Sequence, residues 1–160
     1  MKLGLYAVGK LKDDAERAIT QRYLERFGQL GPGLGLAFAG VTEMMESRAA
    51  SAEARKAAEA AELRRRLSPE TRIAVLDERG RSLSSEEFAG ILGRWRDEGV
   101  RSAAIVIGGP DGLDPVLVKE AALSLSLGRM TMPHGLARAV IAEQLYRAAT
   151  ILARHPYHRA

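Results

Sequence analysis

The chain has 160 residues, 46% of them hydrophobic and 28% charged, with a net charge of +4, three histidines and no cysteine. The absence of cysteine excludes disulfides and thiolate metal sites, and the composition is that of an ordinary globular protein with enough chain for one sizeable core. No apolar run approaches the roughly 20 residues a membrane span requires, so the expectation is one domain, residues 1–160, working in the cytoplasm. The excess of base over acid points mildly to an anionic partner.

In chain order, residues 1–8 read as a strand closed by Gly9 rather than as a signal peptide, because the apolar run ends without a small-residue cleavage site. Asp13 and Glu16 are spaced as a capping box opening a helix, whose Ala15, Ile19, Tyr23 and Phe27 are expected to face the core and which the glycines at 28–33 should end. Residues 34–38 form a weakly written second strand, and residues 40–51 are expected to be loop. Residues 52–67, rich in Ala, Glu and Arg, make a helix with Glu62 and Arg66 placed as an i,i+4 pair.

Residues 72–76 are short and apolar, as a strand buried on both faces should be, and residues 77–80 read as a turn. Ser84 and Glu87 form a second capping box, ahead of one helical face made by Phe88, Ile91, Leu92 and Trp95. A fourth strand follows over residues 102–107, then Asp114-Pro115 caps a short helix over 116–122, and residues 123–127 alternate as a fifth strand. A long helix begins at Pro133, and the chain ends in the polar run His155-Pro156-Tyr157-His158-Arg159. Strand and helix alternate five times, which predicts an α/β fold with a mostly parallel sheet and helices on both faces.

In such sheets ligands bind beyond the carboxyl ends of the strands, which selects Leu76-Asp77-Glu78, residues 108–113 and residues 128–134. Gly108 and Gly109 either offer bare backbone to a ligand or serve a turn; neither a dinucleotide fingerprint nor a P-loop pattern is present. Met130-Thr131-Met132-Pro133 suits the lining of an adenine-sized pocket, and equally a helix entry with Pro133 in the first turn. His155 and His158 have only His134 as a third imidazole and no carboxylate close by, so no metal site is expected. From residue 129 onward the charged residues are Arg129, Arg138, Arg147, Arg154 and Arg159 against Glu143 alone, a pattern that fits a phosphate backbone or a solvated helix end.

Several stretches taken together carry a family resemblance. They are Ala7-Val8-Gly9-Lys10, Ser84-Ser85-Glu86-Glu87-Phe88-Ala89, Ile107-Gly108-Gly109-Pro110-Asp111-Gly112-Leu113, Leu125-Ser126 on to Met130-Thr131-Met132-Pro133-His134, Glu143-Gln144-Leu145-Tyr146-Arg147-Ala148 and Pro156-Tyr157-His158-Arg159. This set resembles the small bacterial pseudouridine N3-methyltransferases of large-subunit ribosomal RNA, which belong to the SPOUT class. The resemblance runs the whole length, specific over the last sixty or so residues and weak from about residue 30 to residue 67.

The resemblance implies a C-terminal trefoil knot, an exception to the rule against threaded chains. It implies S-adenosyl-L-methionine held by Leu76, Gly108, Gly109, Gly128, Arg129, Met130, Thr131, Met132 and Pro133. It further implies a homodimer in which the tail of one subunit completes the site of the other, and a pseudouridine within the ribosome or large subunit as substrate, with no membrane and no metal. In that setting Tyr157 would stack on the target base, His158 would accept the N3 proton, and Arg159 or Arg138 would stabilise the developing anion. Arg129, His134, Arg138, Arg147 and Arg154 would contact RNA. Two rival readings are a non-catalytic RNA-binding or ribosome-associated protein with the same basic tail, and a SPOUT methyltransferase acting on transfer RNA.

Overall fold

The computed structural model describes residues 1–12 and 14–157. Five strands, β1 (Lys2–Val8), β2 (Ala37–Met44), β3 (Arg72–Ser82), β4 (Ser102–Ile107) and β5 (Leu123–Ser126), form one sheet in the order β2-β1-β4-β3-β5. Every pairing is parallel, as the alternation of strand and helix predicts. The helices are α1 (Asp14–Leu30), α2 (Ala52–Arg66), α3 (Ser85–Asp97), α4 (Pro115–Glu120) and α5 (His134–Leu152).

The central strands sort their side chains with period two. Leu3, Leu5, Ala7, Ala103, Ile105 and Ile107 join the larger core with α1, α3 and α5, while Val8, Ala104, Val106 and Val75 join a smaller core with Ala60 and Leu63 of α2 and Leu117 of α4. The sheet is therefore covered on both faces, which is why residues 3–8, 73–76 and 103–107 read as largely apolar runs. Both predicted capping motifs that fall on described residues hold: Ser84 and Glu87 cap α3 reciprocally, and the Asp114 carboxylate accepts the N–H groups of Val116 and Leu117. The first capping box involves Asp13, which lies outside the described residues. Among the described residues no helix is long and apolar enough to cross a membrane.

Three elements differ from expectation. The loop expected over residues 40–51 is strand as far as Met44. β1 lies inside the sheet and needs a partner along its whole length, and β2 supplies one from Lys2↔Ala37 to Val8↔Met44. The register shifts between Leu3 and Leu5, and Gly40, at φ 100°, lets the longer strand absorb its extra residue. In α1 the expected core stripe is rotated: Ile19 is 42% exposed, while Thr20, Leu24 and Phe27 are buried. A four-residue spacing slips by about 40° at each step, so Ala15 and Phe27 end about 120° apart and cannot share a face.

The third difference bears on the site. β3 does not stop at Leu76 but continues to Ser82, and Leu125 of β5 pairs first with Leu76 and then with Arg81. β3 therefore has two limbs, residues 72–76 and 81–82, each paired with β5 across a break in register. Between the limbs, a Cβ placed on Gly80 would stand 2.7 Å from the carbonyl carbons of Ser124 and Leu125, so the two backbones approach with no room for a side chain. Gly80→Ala is expected to destabilise the fold by about 2 kcal/mol, read by urea denaturation, because neither backbone segment can move aside. Wild-type stability in that variant would show that this close approach has slack.

Candidate active site

The carboxyl ends of β3, β4 and β5 open into one cavity of about 920 Å³. Its walls include Leu76 after the first limb of β3, Ile107 and residues 108–113 after β4, and Leu125, Leu127, Gly128 and residues 130–134 after β5. Nine of the residues named from sequence thus meet in one place: Leu76, Gly108, Gly109, Gly128, Met130, Thr131, Met132, Pro133 and His134. Arg129 is exposed on the same loop but does not line the cavity.

Local chemistry shapes both loops. Gly112 donates to the Gly109 carbonyl (3.0 Å) and takes φ 82°, folding residues 109–112 into a tight turn. A Cβ on Gly108 would lie 2.9 Å from the Gly112 carbonyl group, so the turn closes only over glycine. After β5, the Ser126 hydroxyl accepts from Gly128 N (3.2 Å) and donates to Gly128 O (3.0 Å), while Gly128 sits at φ 134°. The chain then enters α5 through Pro133, which supplies no side-chain cap. The Glu16 carboxylate of α1 packs where a Gly135 Cβ would stand, placing negative charge against the first turn of α5.

Arg138 is not where either of its expected roles requires it. It is 1% exposed and lies beneath α5, donating to Glu43 Oε1 (2.6 Å) and to the Gly9 carbonyl (2.5 Å). Glu43 in turn accepts from Leu11 N (2.9 Å). Burial alone would raise the Glu43 carboxyl, but the Leu11 N–H and the Arg138 guanidinium, with Arg17 near by, hold it below its ordinary range. A cation enclosed in this way cannot reach a phosphate or a target base, so Arg138 fastens α5 to the end of β1 instead.

The tail folds back on α5 through residue Arg154, at φ 54°, and His155 N donates to the Thr150 carbonyl (2.8 Å) in the manner of a left-handed helix stop. Tyr157 then packs on the Tyr146 ring, with centroids 4.8 Å apart, under the Arg147 guanidinium at 5.1 Å. Its hydroxyl donates to Glu143 Oε1 (3.1 Å), which also accepts from Arg147 Nε (2.9 Å). Burial first, then hydrogen bonding with Tyr23 and the Glu143 charge, pushes the phenol well above the usual tyrosine range, so Tyr157 stays protonated and is not a base. Arg154 is exposed; His158 and Arg159 lie outside the described residues.

Among the described residues, the cavity and the tail do not meet. Glu143 follows His134 by nine positions, which on a helix is about 14 Å along the axis and half a turn around it. His134 lines the cavity and Glu143 holds Tyr157, so the two face apart. Sequence reasoning missed the contacts of α1 and α2 with these parts: Tyr23 beside Tyr157, Lys56 in the cavity wall, and the Arg55–Asp111 pair. Nothing in the Ala-rich helix marks Arg55 or Lys56 among its many charges, and Asp111 reads as a turn residue.

An all-parallel sheet with one cavity over the carboxyl ends of three adjacent strands is the arrangement in which α/β proteins hold small molecules. The chain belongs to the SPOUT methyltransferase family: residues 1–158 match the family described as "Predicted SPOUT methyltransferase". It is similar to the protein named ribosomal RNA large subunit methyltransferase H in Brucella anthropi, at 53% identity over 160 residues and 100% of both chains. The protein of the same name in Sinorhizobium medicae is 54% identical over 160 residues, again 100% of both chains. That of Rhizobium leguminosarum bv. trifolii is 54% identical over 159 residues, or 99% of each.

Proposed function

We propose that this methyltransferase transfers a methyl group from S-adenosyl-L-methionine to N3 of a pseudouridine in large-subunit ribosomal RNA, acting in the cytoplasm as a homodimer. The observation that carries the reading is the meeting of the Leu76, 108–113 and 128–134 loops around one cavity. Its about 920 Å³ lies within the range of small-molecule sites. Apolar walls from Leu76, Ile107, Leu125 and Met132 suit an adenine ring, and the side-chain-free backbone at Gly108 and Gly109 suits hydrogen bonding along an edge. Asp77 and Glu78 at the rim suit a ligand that carries positive charge. The names of the relatives supply the RNA class, and the resemblance of the tail supplies the base.

The bound donor brings an electrophilic methyl group on a sulfonium. The chain must then present the acceptor nitrogen in line, stabilise charge as the N3 proton leaves, and take that proton. Tyr157, kept neutral, positions or stacks on the base. Arg147, stacked on Tyr157, takes the charge-stabilising place expected of Arg138, together with Arg159. His158 accepts the proton. Arg129, His134 and Arg154 contact RNA around the cavity mouth and the helix end. Because Tyr157 and the cavity face apart within one chain, the tail serves the cavity of the other subunit. The C-terminal knot belongs to the same reading, and it is supported by the pairing of Leu125 with both Leu76 and Arg81.

Mass mapping of modified nucleosides tests the assignment in a strain lacking the gene and in a reaction of purified protein, S-adenosyl-L-methionine and large subunits. The expected result is loss and restoration of one N3-methylpseudouridine. An intact mark in the deletion strain would sink the assignment; a change confined to transfer RNA would favour that substrate instead. Binding of ribosomes without donor binding would favour a non-catalytic role.

A further inference from the structure

Helix α2 is tied to the glycine loop by side chains that the reaction described above does not use. Arg55 donates from Nε and Nη2 to the two carboxylate oxygens of Asp111 (2.6 and 3.1 Å) and from Nη1 to the Ala49 carbonyl (3.1 Å). All three nitrogens of the guanidinium are engaged. One turn further on, Glu59 accepts from Ser47 N (2.9 Å), so the same helix also fixes the segment that leads into it. Lys56, beside Arg55, lines the cavity.

Asp111 stands at the tip of the turn closed by Gly109 and Gly112. The preceding Gly108-Gly109 backbone lines the cavity, and glycine has the largest backbone freedom to lose on ordering. A two-bond fork between guanidinium and carboxylate sets distance and orientation together, which a single point charge does not. The other side of the loop is already in contact: a Cβ on Gly109 would meet Val8 Cγ1 at 3.0 Å and Glu59 Oε2 at 3.6 Å. The loop therefore rests against β1 and α2, and the Arg55–Asp111 pair fastens its tip.

We propose that Arg55 and Asp111 are positioning residues, whose ion pair holds the Gly108-Gly109 backbone in the shape that receives the methyl donor. This rests on the reading of the cavity as the donor's site. Neither residue touches the reacting atoms. Both side chains are about one-third exposed (30% and 32%), so water and salt moderate the effect and it acts on donor affinity rather than on the chemical step.

The test is isothermal titration of S-adenosyl-L-methionine with steady-state kinetics on large ribosomal subunits. It compares the unaltered protein with R55M, D111N, R55K and the exchanged pair R55D/D111R. R55M and D111N are expected to raise Kd and KM for the donor about 3- to 10-fold, with kcat within about twofold. Thermal midpoints should stay within about 4 °C. R55K is expected to fall between unaltered and R55M, and the exchanged pair to regain most of the lost affinity. The proposal is overturned if both single variants bind the donor as the unaltered protein does, or if kcat falls while donor affinity holds. Folded exchanged protein that regains no affinity also overturns it. No donor binding by the unaltered protein is a separate result, which removes the cavity assignment and this proposal with it.

Discussion

Removal of residues 157–160 is expected to lower methyl transfer at least about 100-fold while donor affinity stays within about twofold. Among the described residues the tail gives the cavity no wall: its lining comes from the ends of β3, β4 and β5, from α2 and α4, and from the start of α5. Tyr157 lies on the opposite side of α5, held by Glu143 and packed against Tyr146 and Arg147. Calorimetry with S-adenosyl-L-methionine and single-turnover transfer to large subunits separate the two effects. Transfer at near the unaltered rate would show that the tail is not part of the chemistry; loss of donor binding would show that it is structural. Mixed dimers carry the idea further. One subunit lacking the tail, paired with one bearing Gly108→Ala, should retain one working site if each tail serves the opposite cavity.

The second large effect concerns stability. Glu43→Gln is expected to cost about 3 kcal/mol, because it strips the counter-charge from a guanidinium that is 1% exposed. Arg138→Met should cost a similar amount, since it leaves Glu43 without its cation and frees the Gly9 carbonyl. The double variant should recover part of the sum, as replacing both members of a buried pair leaves no lone charge. Urea denaturation measures all three. The pH dependence has a fixed sign. The Glu43 carboxyl is depressed below its ordinary 4.5, so its contribution is complete above that value and is lost as pH falls through the folded-state value. The stability gap between unaltered protein and Glu43→Gln should be flat above about pH 5 and narrow below pH 4.5. A gap that widens in acid would contradict the pairing.

Much of the architecture was legible because local signals and tertiary demands agree. The Ser84–Glu87 box, the Asp114-Pro115 start and the apolar run at 102–107 each specify an element by chemistry carried within a few residues. The cavity lining was equally readable, since a parallel sheet sends its loops to one edge and three of them bear glycine or Pro-flanked apolar residues. What failed depends on partners distant in sequence. β2 extends to Met44 because β1 lies alongside it, not because its own residues favour extension. The second limb of β3 exists because β5 arrives to pair with it, and Asp77-Glu78-Arg79-Gly80 carries no mark of that. Arg138 looked like one more exposed arginine in a basic stretch; its burial comes from Glu43, 95 positions away. Charge counted along the chain cannot tell a solvated cation from a neutralised one.

The pairing of β5 with both limbs of β3 also sets an order of assembly. Residues 72–82 leave the ribosome first, and their partner, residues 123–126, is synthesised about forty residues later. Pairings so distant in sequence are slow to form, because loop closure must come before any contact rewards it. One edge of β3 therefore waits for its partner until most of the chain has been made.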